Sequence, residues 1–256
     1  SGCSNLTYVS IPSGVTSIAS AFKNCAALES ISIASSVTNL CNAFKNCTAL
    51  TNITIPSKAT NIAGAFEGCT ALTSITIPSN VTEIGGAFKG CTALTSVTIP
   101  SSVTYTGSST FEGCVSLTSV KISASKTQIG FSSFKGCSAL TSIVLPYGVT
   151  AIGSCAFYDC TSLANITIPS SVTYISTFAF YGCTALTDIT IPEAVTSIDT
   201  SAFEGCTELT KITVLGGSKI QTKSSSFSGC TKLKDVYFRG AESEWVSSGF
   251  SAALPN

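Results

Sequence analysis

Cysteine offers this chain its richest chemistry: 13 of 256 residues are cysteine, while histidine and methionine are absent. A thiol can attack an electrophile, ligate a metal or close a disulfide, and each use demands particular neighbours. Nucleophilic work needs a base and an electropositive, accessible setting, and without histidine the Cys–His and Ser–His–Asp arrangements are excluded. Metal binding needs clustered ligands, yet no C-x2-C pair and no His-containing site exists. Spacing bears on the third use. Eleven cysteines (Cys3, Cys25, Cys47, Cys69, Cys91, Cys114, Cys137, Cys160, Cys183, Cys206 and Cys230) recur at four intervals of 22 residues, five of 23 and one of 24. Stacked in that register, neighbouring Cα atoms would lie about 5 Å apart, but with side chains parallel rather than facing, which disfavours a bond. A free cysteine packs as a small hydrophobe and is among the most buried residue types. We therefore read the eleven as buried free thiols. Cys41 and Cys155 fall outside the register, five coils apart, and are the expected exposed thiols.

The elements that set this register are copies of one unit. A Phe precedes each cysteine by three residues from the second copy onward, as at Phe22 and Phe227, and a Leu follows each by three, as at Leu6 and Leu233. In "LTSVTIP" (94–100), Val97 and Ile99 alternate with Ser96 and Thr98, the pattern of a half-buried strand. Pro100 has no N–H to give a neighbour and ends the ladder, and seven of the eleven units carry proline there. A second short segment, "VTEI" (81–84), brings two more apolar residues inward on another wall. The residue before the cysteine is Gly in eight units, Asn at Asn24 and Asn46, and Asp at Asp159. Those types tolerate positive φ, so a left-handed residue should close the turn there. The switch from 22 to 23 residues falls between the second segment and the Phe, so one extra turn residue is absorbed at that place. One coil cannot bury its own Leu, Ile, Val and Phe, whereas stacked copies bury each other's. The expectation is a solenoid roughly 50 Å long at about 4.8 Å per coil.

Units such as "AFEGCTALTSITIPSNVTEIG" (65–85) closely resemble the BspA-type leucine-rich repeat. The resemblance rests on a Leu-x-x-Ile-x-Ile-Pro strand, a Val-Thr-x-Ile segment and an Ala-Phe-x-x-Cys turn. It implies a mainly β repeat solenoid, a right-handed coil with a parallel sheet on one face and short strands or turns on the others. About eleven coils would fill residues 1–238, and 239–256 would form a C-terminal capping tail, since "VYFRGAESEW" (236–245) looks like the end of such arrays. Ser123 in place of Pro, Lys126 in place of Val, Thr106 in place of Ile and the stretch 214–227 mark the least regular coils.

Composition narrows the function. Charged residues are 10% of the chain and the formal net charge is zero, with no basic run, so the footprint of nucleic-acid binding is missing. No apolar stretch reaches the 18 residues of a membrane-spanning helix. The absent initiator Met and the opening "SGC", which matches "FSGC" (227–230) within the repeat, suggest an excised piece of a longer array. The carboxylates are scattered and imply no acid–base pair, so the chain is read as non-catalytic and free of cofactors. A flat Thr array would suit ice binding, but an arced sheet with Ser in one row does not.

Function must then sit on outward positions. Five residues after each cysteine the outward row runs Tyr8, Ser30, Asn52, Ser74, Ser96, Ser119, Ser142, Asn165, Asp188, Lys211, Asp235. Seven after, it runs Ser10, Ser32, Thr54, Thr76, Thr98, Lys121, Val144, Thr167, Thr190, Thr213, Tyr237. Small hydroxyls dominate until the C-terminal third, where Asp188, Lys211 and Asp235 should stack as a charge ladder or serve a protein contact with Tyr237 at its edge. Lys121 and Val144 complete the candidate set. Tyr105, Phe131, Tyr147, Tyr174 and Phe178 depart from the repeat and are expected mostly as local packing, any exposed ones being interface anchors. The resemblance implies an extracellular, surface-associated bacterial domain that adheres to host matrix proteins or other cells, as a monomer with a protein partner. The alternative is a spacer or stalk within a larger surface protein.

Overall fold

The computed structural model describes residues 2–123, 127–216 and 220–254; Lys126 and part of the irregular stretch 214–227 lie outside them. It is a parallel β-solenoid of about ten turns with almost no helix. The first wall carries β1 (Tyr8–Ile11), β2 (Ser30–Ile33), β3 (Ser96–Ile99), β4 (Ser119–Ile122), β5 (Ser142–Val144), β7 (Asn165–Thr167), β9 (Asp188–Ile191), β11 (Lys211–Val214) and β13 (Asp235–Phe238). The second wall carries the two-residue strands β6 (Ala151–Ile152), β8 (Tyr174–Ile175), β10 (Ser197–Ile198) and β12 (Gln221–Thr222). Every pairing is parallel and joins one coil to the next in repeat register, as in Lys211 opposite both Asp188 and Asp235.

The first wall is not one unbroken ladder. Its strands pair as β1–β2, β3–β4, β5–β7 and β9–β11–β13. Residues 52–55 and 74–77 keep the inward-outward alternation, with Ile55 and Ile77 buried, but contribute only the Ser74–Ser96 bridge. On the second wall, single bridges join Ser17, Asn39, Asn61 and Glu83 in the 22-residue coils, and paired strands form only among the 23-residue coils.

Each turn is fixed by two left-handed residues. The residue before the cysteine has positive φ in all eleven units, from Gly2 at 78° to Asp159 at 54°. A second such residue stands five before the cysteine, and there only Gly64 and Gly86 are glycine; Ser20, Asn42, Ser109, Ser132, Cys155, Phe178, Ser201 and Ser225 fill the other places. For Phe178, at φ 58°, that conformation is strained. Between the two, Phe rings enter the coil and form one continuous stack from Phe22 to Phe227, with centroids 5.0–5.8 Å apart. The tail forms α1 (Glu242–Ser247) and α2 (Phe250–Ala253), and buried Phe250 continues the stack 5.7 Å from Phe227, with Trp245 5.8 Å beyond.

Two irregular coils rearrange as a consequence of their residues. Thr106, in an isoleucine place, is buried and bonds Ser133 Oγ at 2.8 Å, while its Oγ1 accepts from Gly130 N–H at 2.9 Å. Where Lys precedes them, Thr127 and Ile220 are the buried residues, although the equivalent Thr104, Thr150 and Thr196 face solvent.

Candidate protein-binding surface

The ladder cysteines do more than fill space. Ten are buried, and all 13 are free. From Cys47 to Cys230 nine thiols each donate to the carbonyl oxygen of the Phe in the preceding coil, at 3.1–3.2 Å. That oxygen also accepts the N–H of the cysteine in its own turn, as in Cys69 N to Phe66 O at 3.0 Å. Desolvation pushes the Cys114 thiol up to about 12, so these groups stay protonated and are no nucleophiles. Cys41 and Cys155 are half-buried as expected, and burial raises the Cys155 pKa as well. Cys3, read from sequence as a buried rung, is exposed. Among the described residues no group of three or more Cys, Asp or Glu is placed to hold a metal ion.

With the interior spoken for, the outward face of the first wall remains. The parallel register sets Asp188, Lys211 and Asp235 side by side, and Tyr237 one pleat further along β13. The expected charge ladder takes a different form. Among the described residues Lys211 makes no ion pair with either aspartate; its Nζ lies 5.1 Å from the Tyr237 ring centroid. An exposed cation over an aromatic face gains on the order of 0.5–1 kcal/mol. The arrangement presents a tyrosine 54% exposed, a lysine and two carboxylates on one rigid sheet.

Lys121 and Val144 stand apart from that cluster, on β4 and β5, with β7 between Val144 and Asp188. Val144 is 82% exposed. Lys121 borders a shallow trough of about 780 Å³ lined by Asn52, Thr54, Ser74, Thr76 and Thr98, the region where the first wall lacks paired strands.

Sequence reading missed a charged row two residues before the cysteine. There Lys45 meets Glu67 at 2.7 Å and Lys89 meets Glu112 at 3.1 Å. The row then turns aromatic: Lys135 Nζ lies 5.0 Å from the Tyr158 centroid, Tyr158 stacks on Tyr181 at 4.6 Å, and Phe178 meets both edge-on. Reading every column of the repeat, rather than only the strand columns, would have found it. The expectation that most departing aromatics pack locally is also corrected. Tyr105, Phe131, Tyr147 and Tyr174 are exposed, and of the five only Phe178 is held by this cluster.

A parallel solenoid built on Leu, Ile and Phe columns, with its variation confined to outward rows, is a leucine-rich-repeat protein. The repeat identifies it further: the BspA type leucine rich repeat region matches in six copies over residues 1–86, 63–161 and 127–253, so the chain belongs to that family. A leucine-rich repeat protein from Bacteroides ovatus is similar over 90% of this chain, with 35% identity and a TM-score of 0.84. This chain spans 63% of the length of that protein. A leucine rich cell surface protein from Faecalibacterium prausnitzii has 29% identity and a TM-score of 0.53, covering 94% of this chain and 81% of its own. The T. pallidum leucine rich repeat protein has 30% identity and a TM-score of 0.58, covering 62% of this chain and 77% of its own. No curated protein sequence matches significantly. Membership suggests a protein-binding scaffold of a typically non-enzymatic kind.

Proposed function

We propose that this chain is a non-catalytic adhesion scaffold of a bacterial cell surface, and that it holds host matrix proteins or other cells through the outward face of the first wall. The reading rests on one observation: the sheet's small-hydroxyl surface gives way, in register, to Asp188, Lys211 and Asp235 with Tyr237 exposed beside Lys211. Tyrosine and charged groups on a rigid sheet suit protein contact, the ring supplying area and the charges orientation. Similarity to a protein described as a cell surface protein supports the location. Lys121 and Val144 extend the surface toward its centre, so the partner would lie along the solenoid axis. The test is surface plasmon resonance against immobilised host matrix proteins, with the triple variant Asp188→Ala, Lys211→Ala, Tyr237→Ala. The reading expects affinity to fall about tenfold or more, and unaltered binding would remove the patch from consideration.

A spacer role within a larger surface protein is the second reading. The uniform Ser, Thr and Asn surface from Ser30 to Ser119, broken only by Lys121, favours it for the N-terminal half. A chain that binds no matrix protein at all would support the spacer.

A further inference from the structure

On the second wall, the outward residue is Ser17, Asn39, Asn61 and Glu83 in the first coils, then Tyr105 and Gln128. Tyr147 departs from the repeat too, standing after Pro146 where six other coils carry serine. The two tyrosines are 45% and 79% exposed. Between them runs an open groove of about 890 Å³, lined also by Thr104, Thr127, Gln128, Thr150 and Ser171. Ser171 Oγ donates to the Tyr147 and Val149 carbonyls, which ties the loop that carries the ring.

We propose that this groove binds a neutral oligosaccharide, a second site independent of the protein-binding reading of the first wall. A sugar ring offers an apolar C–H face and a rim of hydroxyls. Exposed tyrosine rings cover such a face, and hydroxyl and amide side chains supply donors and acceptors for the rim. Tyr105 and Tyr147 lie two coils apart, on the order of 10 Å along the axis, enough for about two sugar rings. The described lining residues carry no charge, which favours a neutral sugar over an anionic one. Thr127 lies 1% exposed beneath the floor, and its Oγ1 has no hydrogen-bond partner among the described residues. A peptide fits less well. The floor's backbone is already paired, Gln128 N–H to Thr104 O and Thr106 N–H to Gln128 O, so no strand can be added there.

The test is isothermal titration and saturation-transfer NMR of the intact chain with maltotetraose, cellotetraose and chitotetraose. Sialyllactose and a proline-rich peptide serve as contrasts. At least one neutral tetrasaccharide should bind, about tenfold more weakly to Tyr105→Ala and to Tyr147→Ala. Tyr147→Phe should retain most of the affinity, because the ring face remains. Thermal melts of the alanine variants check folding, and the Asp188, Lys211, Tyr237 triple variant should bind the sugar unchanged. Absence of binding by all three sugars, equal binding by correctly folded tyrosine variants, or binding of the contrasts alone would each overturn the proposal.

Discussion

At Phe66 the carbonyl oxygen receives two donors, the Cys69 N–H of its own turn at 3.0 Å and the Cys91 thiol of the next coil at 3.1 Å. Alanine would fill much of the same space but leave one lone pair unused in a dry interior, and that need accounts for cysteine at this register. The sequence showed the rung and its burial, because Phe and Leu flank it at fixed distance. It did not show the bond, because the acceptor lies 25 residues away on another coil. Exposure follows: iodoacetamide should label Cys3, Cys41 and Cys155 in the native protein and the ten buried thiols only after denaturation, countable by intact mass. Fast labelling of ladder cysteines would contradict the buried reading. Alkali should act through the same groups. Desolvation raises Cys47 to about 11 and Cys114 to about 12, and raises Cys69, Cys91, Cys137, Cys160 and Cys183 likewise. Once unfolded, a thiol ionises near its ordinary 9.0, so above that pH the unfolded state binds fewer protons than the folded one. This contribution is complete below pH 9.0 and is lost as pH rises through the folded values. Urea midpoints should therefore drop between pH 9.0 and about 11, and the drop should be shallower in Cys91→Ala, Cys114→Ala protein.

Among the elements, the turn shows most clearly what could be read in advance. Its closing left-handed residue was legible because Gly, Asn and Asp occupy it. Its opening one was not, because serine fills five of ten places and carries no conformational signature. Register failed at Thr127 for a related reason. A lysine in the valine place cannot enter the core, so the next residue turns inward, which a column-by-column reading misplaces. The phenylalanine stack was legible as a column, and its middle members are fully buried. Phe111→Ala should cost about 3–5 kcal/mol in urea unfolding, and a cost near 1 kcal/mol would mean the coils close over the gap. We propose that residues 239–256 cap the array by covering Phe227 with Phe250. Phe250→Ala should then lower the melting temperature and increase binding of a hydrophobic dye, whereas an unchanged melt would reduce the tail to an ornament on a self-sufficient solenoid.

For the whole molecule, the repeat interior is monotonous and its outward rows are where residues differ. The core was accordingly legible, since Leu, Ile and Phe columns leave one way to bury themselves. The candidate surface was legible only as positions. That Asp188, Lys211 and Asp235 are neighbours follows from the register, but that Lys211 leans over Tyr237 depends on side-chain rotamers that no column records. The breaks in the first wall lie beyond pattern reading as well, because residues 52–55 and 74–77 keep the same alternation as their paired neighbours. The central claim is that the C-terminal third of the first wall is the protein-binding face. Hydroxyl-radical footprinting of the chain, alone and saturated with a bound matrix protein, tests it most directly, since Tyr237, Tyr105 and Tyr147 are all exposed and report on two different walls. Protection concentrated at Tyr237, with Tyr105 and Tyr147 still reactive, is the result expected; protection of the second wall with Tyr237 unchanged would contradict it.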